Sequence, residues 1–334
     1  MLLFLLSVIT IFLSCRWLRS RKRVSGISNK YVFITGCDSG FGNLLAKHLD
    51  QLGFRVLAGC FTEKGEDELK KTTSEKLVTF HLDVTKSESI QRAIELIKSQ
   101  VGQAGLWGLV NNAGIGAPFG PCDWLSVQEF RNMFDINFFG LVEVTLCCLP
   151  LIKKARGRIV NMSSVMGRVS SPAVPYSASK CAVESFNDTL RKNMSYFGVK
   201  VSCIEPGFFK TNIMTTELFK SNMKEFWKKQ TEELKEEYGR DYLEKGGSSQ
   251  LKHTHTHIRI DNHSDPDLMK VVSCMEHAIS AEHPWTRYTP GWDAKLFWIP
   301  LSYMPTVIID YVFNRVMTKP AQEKKIEDKS NPNP

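Results

Sequence analysis

The chain contains 334 residues, 43% of them hydrophobic, so it is long enough to bury one large core. Its formal net charge of +8 could suit nucleic acid, but five of the positive charges follow an apolar N-terminus, at Arg16, Arg19, Arg21, Lys22 and Arg23. Since no basic helix interleaved with aromatic residues occurs elsewhere, the composition argues against nucleic acid as a partner and favours a membrane surface.

The first predicted element is an apolar membrane anchor over residues 1–18, followed by a basic juxtamembrane linker over residues 19–29. A helix rises by about 1.5 Å per residue, so the apolar run has about the minimum length for crossing a bilayer core. The positive charges follow the run, which favours an uncleaved anchor over a cleaved signal peptide or an interfacial helix. The positive-inside tendency then places the remainder of the chain in the cytosol.

From Lys30 onward, β-branched runs alternate with segments of helical spacing. The predicted strands are Tyr31–Thr35, Arg55–Ala58, Leu77–Leu82, Gly108–Asn111, Arg158–Met162 and Lys200–Glu205. The predicted helices are Asn43–Leu52, Ser87–Gln100, Val127–Leu149 and Ser177–Phe197. This alternation predicts an α/β fold, in which a single Rossmann-like, doubly wound parallel sheet forms one domain over residues 30–318.

A charged helical stretch, Thr215–Lys245, follows Gly207. Ligands of open α/β sheets bind outside the carboxyl ends of the strands, so an insertion here predicts a helical substrate lid over about residues 208–266. The alternative is a surface helix that simply packs on the domain. The run His253–His257 within this region has no nearby Asp, Glu or Cys to complete a ligand set, and we therefore expect a loop insertion and no metal site.

The segment Lys295–Phe313 is apolar and aromatic, but Pro300 and Pro305 argue against a spanning helix. It is expected either to cap the substrate site or to touch the bilayer. The charged, proline-containing residues 319–334 are expected to form a disordered tail.

A glycine cluster directly after the first strand predicts a site for the pyrophosphate of a dinucleotide, because glycines allow close backbone approach and the following helix offers free N–H groups. The predicted strands Leu77–Leu82 and Gly108–Asn111 should end at the same edge of the sheet. Asp83, directly after the first of them, could accept a hydrogen bond from adenine. The expected coenzyme contacts in these segments are Thr35, Gly36, Asp38, Ser39, Gly40, Phe41, Gly42, Asp83, Val84, Asn111, Ala113 and Gly114.

The pair Tyr176 and Lys180 begins a predicted helix, and positions i and i+4 share one helix face. A phenol is a poor base at neutral pH, and a neighbouring ammonium is expected to favour the phenolate. Ser164 follows the Arg158–Met162 strand and could hydrogen-bond the reacting oxygen. The sequence therefore predicts a proton-transfer site that binds substrate through Ser164 and Tyr176.

Together these segments resemble the short-chain dehydrogenase/reductase family, with T-G-x-x-x-G-x-G at 35–42, N-N-A-G at 111–114 and Y-x-x-x-K at 176–180. At finer scale the segments 31–42, 82–90, 106–114 and 204–211 resemble the branch of microsomal retinol dehydrogenases and 3α- and 17β-hydroxysteroid dehydrogenases. The resemblance adds Asn137 to the catalytic set, and Pro206, Gly207 and Thr211 to the coenzyme contacts. It implies a small hydrophobic substrate, a retinoid or a steroid, and an endoplasmic reticulum membrane location.

The resemblance also implies a mechanism. Tyr176 would remove the hydroxyl proton as hydride leaves for the nicotinamide, Lys180 would hold the nicotinamide ribose, Ser164 would polarise the oxygen and Asn137 would hold a relay water. Tyr176 and Lys180 thus also count as coenzyme contacts. A homodimer through the long helices carrying Asn137 and Tyr176 is implied as well. Two segments depart from the branch, namely the proline-containing loop 171–175 and the insertion around His253–His263.

Coenzyme choice is the most open of these inferences. The end of the second strand offers Gly59 or Cys60 where an acidic residue would select NAD(H), and Lys64 follows. This chemistry leans to NADP(H), whereas the branch leans to NAD(H), which we expect. Two non-enzymatic alternatives are a nucleotide-binding membrane scaffold without turnover and a lipid-surface structural protein. The intact set of Asn137, Ser164, Tyr176 and Lys180 argues against both.

Overall fold

The computed structural model of this chain describes residues 2–170, 173–211, 213, 215–243 and 264–316. The insertion His253–His257, the tail 319–334 and the loop residues Ser171 and Pro172 lie outside the described residues. What was predicted for them stays a prediction.

Seven parallel strands form one sheet in the order β3-β2-β1-β4-β5-β6-β7. The strands are β1 Tyr31–Thr35, β2 Arg55–Cys60, β3 Val78–His81, β4 Gly108–Asn111, β5 Arg158–Met162, β6 Lys200–Ile204 and β7 Arg287–Tyr288. The order reverses between β1 and β4, and this switch point opens a crevice at the carboxyl ends of the strands.

Helices cover both faces of the sheet. They are α1 Leu2–Ser20, α2 Gly40–Leu52, α3 Glu63–Lys70, α4 Ser87–Val101, α5 Val127–Phe134, α6 Leu141–Ala155, α7 Val174–Ser195, α8 Thr216–Lys229, α9 Glu232–Tyr238, α10 Met269–Ser280, α11 Ile299–Leu301 and α12 Thr306–Val316. A π-helical turn, Asp135–Gly140, joins α5 to α6, and another, Ala294–Trp298, leads into α11.

The core consists of one apolar layer on each face of the sheet. On one face α2 packs Leu45 and Leu49 against β1 and β2, and α10 packs residues such as Val272 against α2, β5 and β6. On the other face α4, α6 and α7 contribute residues such as Ile94 and Ile152. Burial on both faces explains why the strands show nearly continuous apolar runs, as is typical of parallel sheets.

The predicted α/β class with a single doubly wound parallel sheet is confirmed. The six predicted strands occur within a few residues of their expected bounds, and the sequence analysis missed α3, α10 and β7. The two residues of β7 are too few to show a periodic pattern, and they pair only because Cys203 and Ile204 supply an adjacent edge. The predicted helix Val127–Leu149 is interrupted by the first π-helical turn and extends to Ala155.

The N-terminal residues form α1, whose last turn docks on the domain. The Ser20 carbonyl lies 2.9 Å from His277 Nε2, Val24 N donates to Ser280 O and Arg23 pairs with Ala281. Among the described residues, Val127–Ala155 is the one stretch long and apolar enough to cross a membrane, and 39% of its most apolar window is buried inside the domain. Because α6 fills the core through Val144, Cys148 and Ile152, we assign this stretch to the domain interior. The function of α1 as an anchor stays a prediction.

Candidate active site

An open cleft lies at the carboxyl ends of β1, β4, β5 and β6. Its walls come from four parts of the chain that the sheet brings together. They include Phe41, Asn112, Gly114, Ile115, Ser164, Met166, Tyr176, Lys180, Pro206, Gly207, Phe208, Thr211 and Ile213. The expected catalytic residues other than Asn137 therefore line one cleft with several expected coenzyme contacts.

The glycine turn after β1 is locked to the β4 turn. Thr35 Oγ1 accepts hydrogen bonds from the backbone N–H groups of Asn112 and Ala113, each at 3.0 Å. The Asn112 amide donates in return to the carbonyls of Thr35 and Gly36, also at 3.0 Å. A Cβ at Gly42 would lie 2.4 Å from this amide and from the Gly36 carbonyl, so only glycine fits there. The turn is compact and begins α2, as a pyrophosphate site requires.

Asp38 reaches from the glycine turn to the end of β2. Its carboxylate accepts hydrogen bonds from the backbone N–H groups of Phe61 and Thr62 at 2.8 Å and from the Thr62 hydroxyl at 2.7 Å. An acidic group therefore does lie at the end of β2, although the strand itself contributes Gly59 and Cys60. The sequence signal was an aspartate inside the glycine cluster, but only the fold shows where its side chain points.

The other expected coenzyme contacts on this side differ in accessibility. The Cys60 side chain is buried in the core, where burial raises the pKa of its thiol to about 12. Lys64 is 84% exposed and lies 3.8 Å from Glu68, so its charge is compensated. Asp83 Oδ1 accepts from the backbone N–H and hydroxyl of Thr85, while Val84 packs against Gly140. Ser39 and Gly40 lie at the start of α2, with Ser39 exposed.

Tyr176 and Lys180 share one face of α7, as their spacing predicted. Lys180 Nζ lies 5.7 Å from the centre of the Tyr176 ring and donates to the Met162 carbonyl at 3.0 Å. Gly114 lies beside this pair: a Cβ there would lie at an ordinary contact distance of 3.6 Å from Lys180 Nζ and closer, at 3.1 Å, to Asn137 Oδ1. Burial lowers the pKa of Lys180 to about 8, which weakens its charge as pH rises above that value.

The expectation that the Tyr176 pKa is lowered is wrong. Burial raises the pKa of the phenol, and a hydrogen bond with Ser164 only partly offsets that effect. Ser164 Oγ also accepts a hydrogen bond from Met166 N at 3.1 Å, which fixes its direction. The phenol of Tyr176 therefore stays protonated, and it is hydrogen-bonded to the hydroxyl of Ser164.

Asn137 lies in the first π-helical turn and is fully buried. Its amide donates to the Ile115 carbonyl at 3.0 Å and to Ser179 Oγ at 3.1 Å, while Oδ1 accepts from Ile115 N at 2.8 Å. The side chain thus joins the loop after β4 to α7, and its described partners are protein groups. A relay water held by Asn137 stays a prediction, and the side chain's observed bonds give it a positioning role.

The segment after β6 is held by residues far along the chain. Phe208 N donates to Asp293 Oδ2 at 2.8 Å, and Gly207 N donates to the Pro290 carbonyl at 3.0 Å. These bonds bring Pro206, Gly207 and Thr211 to the cleft. Asp293 was not expected from the sequence, because nothing local to it indicates a partner about 85 residues away.

An ion-pair network lies behind Lys180, and the sequence analysis did not predict it. Arg287 of β7 pairs with Glu184 and Asp188 of α7 and with Glu205 after β6, and Arg168 Nη1 lies 3.2 Å from Glu205. Burial and the Glu184 charge raise the pKa of Glu205 to about 7, although both arginines oppose this shift. The network ties the helix carrying Tyr176 to the edge of the sheet.

The remaining cleft walls are apolar. Met166, Phe208 and Ile213 line the cleft beside Ser164 and Tyr176, while Phe41 and Phe209 contact each other with ring centres 5.9 Å apart. Of the proline-containing loop, Pro175 falls in the first turn of α7, and Ala173 pairs with Gly120. No group of three or more His, Cys, Asp or Glu side chains that could hold a metal occurs within the described part of the chain.

Three comparisons relate the chain to known proteins. Residues 30–222 match the model of a family described as short chain dehydrogenase. Over 96% of its length the chain is 51% identical to retinol dehydrogenase 16 of Mus musculus and 47% identical to 17-beta-hydroxysteroid dehydrogenase type 6 of Homo sapiens, and each match covers 99% of the relative. A crystal structure of a short-chain dehydrogenase from Streptomyces avermitilis shares the fold, with a TM-score of 0.64 at 24% identity over 90% of this chain and 99% of that one.

Proposed function

The chain belongs to the short-chain dehydrogenase family and is an NAD(P)-dependent oxidoreductase of alcohols and carbonyls, and from this premise we propose that it interconverts retinol with retinal or 3α- or 17β-hydroxysteroids with ketosteroids. The observation that supports this most directly is an apolar cleft with Ser164, Tyr176 and Lys180 on one wall. Retinoids and steroids are large, apolar alcohols, and each presents one hydroxyl that the polar wall can receive.

The proposed chemistry uses the protein groups to bind the alcohol and move its proton. The bound nicotinamide accepts the hydride from the carbinol carbon in oxidation and supplies it in reduction. Ser164 donates a hydrogen bond to the substrate oxygen, and Tyr176 takes the hydroxyl proton. Lys180 binds the nicotinamide ribose, and its charge counteracts the burial that otherwise keeps the phenol protonated.

We propose that Asn137 and Ser179 are positioning residues for the start of α7. Asn137 holds the loop after β4 through two hydrogen bonds with the backbone of Ile115. Ser179 Oγ, which accepts from Asn137, donates to the Tyr176 carbonyl at 2.7 Å. The first turn of α7 is thereby fixed, which supports a stable distance between the phenol and the coenzyme.

We propose NAD(H) as the preferred coenzyme, with NADP(H) as the alternative, and Asp38 supports this. Its carboxylate occupies the backbone N–H groups at the end of β2, where the 2′-substituent of the adenosine ribose binds in this fold. A carboxylate accepts a hydrogen bond from a 2′-hydroxyl and repels a 2′-phosphate. Lys64, which would favour the phosphate, is exposed and paired with Glu68.

The remaining partners are also proposals. The apolar N-terminal helix and the basic residues after it support attachment to the endoplasmic reticulum membrane with the catalytic domain in the cytosol. Exposed apolar side chains near the middle of the 127–155 segment, Phe139 and Leu146, support a homodimer through these helices.

Turnover by the purified full-length chain tests the proposed function. We expect oxidation of all-trans-retinol or of a 3α-hydroxysteroid with NAD⁺, and a loss of at least about 10²-fold in kcat for Tyr176→Phe, as for the removal of a general acid–base group. The matched control is Tyr196→Phe, which changes a tyrosine that is 90% exposed and should leave kcat unchanged.

Coenzyme affinity separates this proposal from the two non-enzymatic alternatives. Tyr176→Phe should bind NADH as the wild type does, measured by energy transfer from protein to coenzyme fluorescence. A wild-type protein that binds NADH but converts neither alcohol would support the scaffold alternative or another substrate class. Membrane binding without coenzyme binding would support a structural lipid-surface protein and contradict the proposal.

A further inference from the structure

The segment from Trp292 to Tyr311 exposes eight large apolar side chains, which we call the C-terminal apolar surface. Its members are Trp292, Leu296, Phe297, Tyr303, Met304, Val307, Ile308 and Tyr311. Leu296 is 71% exposed and Val307 is 76% exposed, although the Tyr303 hydroxyl is hydrogen-bonded to the domain. Exposed apolar side chains that are so frequent in one segment are expensive in water and mark a surface that another apolar phase covers.

The same segment is also apolar on its inner side. Ala294, Trp298 and Leu301 are buried, and Ile309, Val312 and Phe313 pack partly against them. The helix α12 presents Val307, Ile308 and Tyr311 outward and Ile309 and Val312 inward, and Asp310 is also exposed. The apolar residues of this helix are therefore not confined to the side that faces the domain.

The inner side contacts the wall of the cleft. The cluster that holds Trp298 and Leu301 also contains Val165 and Met166, with Tyr176 and Phe208 packed against it. The rings of Phe208 and Trp298 lie 5.6 Å apart, and Arg168 joins the segment to the domain through a 3.0 Å bond to the Tyr303 hydroxyl. A single thin layer therefore separates the C-terminal apolar surface from the substrate cleft.

The composition of the surface points to a lipid bilayer as the occupant. Trp and Tyr concentrate at membrane–water interfaces, and Lys or Arg accompanies them there. Here Lys295 lies over the Trp292 ring at 5.7 Å, and the exposed aromatic members are Trp292, Phe297, Tyr303 and Tyr311. The apolar helix α1, whose described side chains other than Ser20 are exposed or half-buried, belongs to the same chain and would keep the domain beside a bilayer.

We propose that the C-terminal apolar surface lies on the membrane and lets a bilayer-dissolved alcohol pass directly into the cleft. This inference rests on the proposed function and deepens it, because it assigns the source from which the substrate is taken. Retinoids and steroids partition into lipid, so an entrance in contact with lipid would face a far higher local substrate concentration than one facing water.

Kinetics with one substrate in two forms test the proposal. The double variant Leu296→Glu/Val307→Glu is compared with the wild type, both as full-length chains, on all-trans-retinol in phosphatidylcholine vesicles and on retinol carried in water by cyclodextrin. We expect the KM for vesicle retinol to rise about tenfold, because two charges replace membrane-facing apolar groups. The KM for cyclodextrin-bound retinol and the KM for coenzyme should stay unchanged.

The matched control is Val127→Glu/Tyr196→Glu, which adds the same two charges at side chains that are 63% and 90% exposed. The ratio of the KM for vesicle retinol to the KM for cyclodextrin-bound retinol should match the wild type in this control and exceed it in Leu296→Glu/Val307→Glu. Since damage to the cleft would raise both KM values together, the ratio isolates the membrane contribution. A ratio equal to the wild-type value in Leu296→Glu/Val307→Glu would overturn the inference.

A direct measurement does not depend on turnover. Brominated acyl chains quench the fluorescence of tryptophan side chains that they contact. In vesicles of such lipids the tryptophan emission of the full-length chain should fall, and it should fall by a smaller amount in Trp292→Phe, because Trp292 contributes to the quenched emission. Equal quenching of the wild type and Trp292→Phe would overturn the inference. A wild-type dimer that Leu296→Glu converts to a monomer in sedimentation would also overturn it, because a second copy of the chain would then cover the surface. Quenched Trp292 without turnover of retinol or a steroid would contradict the proposed function but support this surface.

Discussion

Asp38 shows how much a single residue depends on its position in the fold. In sequence it is one of the variable residues of a glycine turn, but in space it takes up two backbone N–H groups at the end of the neighbouring strand. These groups would otherwise favour an anionic 2′-phosphate. The strand-end position, Gly59 or Cys60, could not reveal this, since the acidic group comes from 23 residues before Phe61.

Asp38→Ser should shift coenzyme preference toward NADP(H). Removing the carboxylate removes the like-charge repulsion and frees the two N–H groups, so the ratio of kcat/KM for NADP⁺ to that for NAD⁺ should rise about tenfold or more. The measurement is initial-rate kinetics with both coenzymes. Asp67→Ser on exposed α3 is the matched control and should leave the ratio unchanged. An unchanged ratio in Asp38→Ser would refute the assigned role.

At the scale of elements, α7 is held at both ends of its catalytic turn. Asn137 fixes Ser179 at one side, and Arg287 of the two-residue strand β7 binds Glu184 and Asp188 one to two turns later. Glu205 after β6 joins the same arginine. The two-residue strand β7 thereby contributes to the packing of α7 through one side chain that forms ion pairs with three carboxylates.

Arg287→Met should lower the free energy of unfolding by about 3–5 kcal/mol, as expected when one partner of a buried ion pair is removed. The loss should be smaller at pH 6 than at pH 8. The pKa of Glu205, already raised to about 7, would rise further, so the folded state would bind more protons than the unfolded chain and stability would fall as pH increases. Urea unfolding at the two pH values measures both effects.

The control for this prediction is Lys98→Met, which breaks the exposed pair with Glu95 at 2.8 Å. Exposed pairs contribute about 0–1 kcal/mol, so the control should stay near the wild type at both pH values. An Arg287→Met variant that resembles the control would show that the network is not important for stability.

The helices α8 and α9 form the described part of the predicted lid. Trp227 contacts Trp124 with ring centres 5.1 Å apart, and the Tyr238 hydroxyl donates to Asp123 at 2.8 Å. The described helices therefore pack on residues 119–124, next to the loop that lines the cleft. This packing is compatible both with a substrate lid and with a plain surface helix.

Trp227→Ala distinguishes these alternatives. If the helices act as a lid, loosening them should raise the substrate KM about tenfold while the coenzyme Kd stays unchanged, because an ordering contact for substrate alone is lost. Steady-state kinetics and coenzyme titration measure the two constants. Tyr196→Ala, at an exposed aromatic residue directly after α7, controls for loss of an aromatic side chain. An unchanged substrate KM would favour the surface helix.

For the whole molecule, the proposed attachment of the chain to a membrane would set the environment of catalysis. The last turn of α1 and the linker hydrogen-bond to α10 and to the residues just after it, so the helix is joined to the domain at a fixed place. Burial lowers the pKa of His283, and the cations Arg19, Lys200 and Lys22 near this junction lower it further. A surface of this charge favours the anionic cytosolic leaflet.

Protease added outside sealed microsomes should digest the catalytic domain of the full-length protein. The basic linker would keep the residues after the apolar helix on the cytosolic side, where the protease has access. The measurement is the disappearance of a domain epitope on immunoblots, with a lumenal protein as control for intact vesicles. Protection of the domain until detergent is added would contradict the proposed orientation.

The sequence by itself determined the fold class and the main polar residues of the cleft, because both leave local signals. Strand and helix periodicities are short-range, and the glycine turn and the Tyr176–Lys180 spacing each lie within eight residues. These signals were enough to place six of the seven strands and to assemble Ser164, Tyr176 and Lys180 in one place.

Tertiary structure alone decided the contacts between distant segments. No local pattern connects the residues that these contacts join. They are the hydrogen bonds of Asp38 with the end of β2, the hydrogen bond between Asp293 and Phe208, the ion pairs of Arg287 and the packing of the C-terminal segment on the cleft wall. It also decided the direction of the Tyr176 pKa shift, because burial depends on the whole surrounding wall. Such properties depend on which surfaces the folded chain brings together, and a one-dimensional pattern does not contain that information.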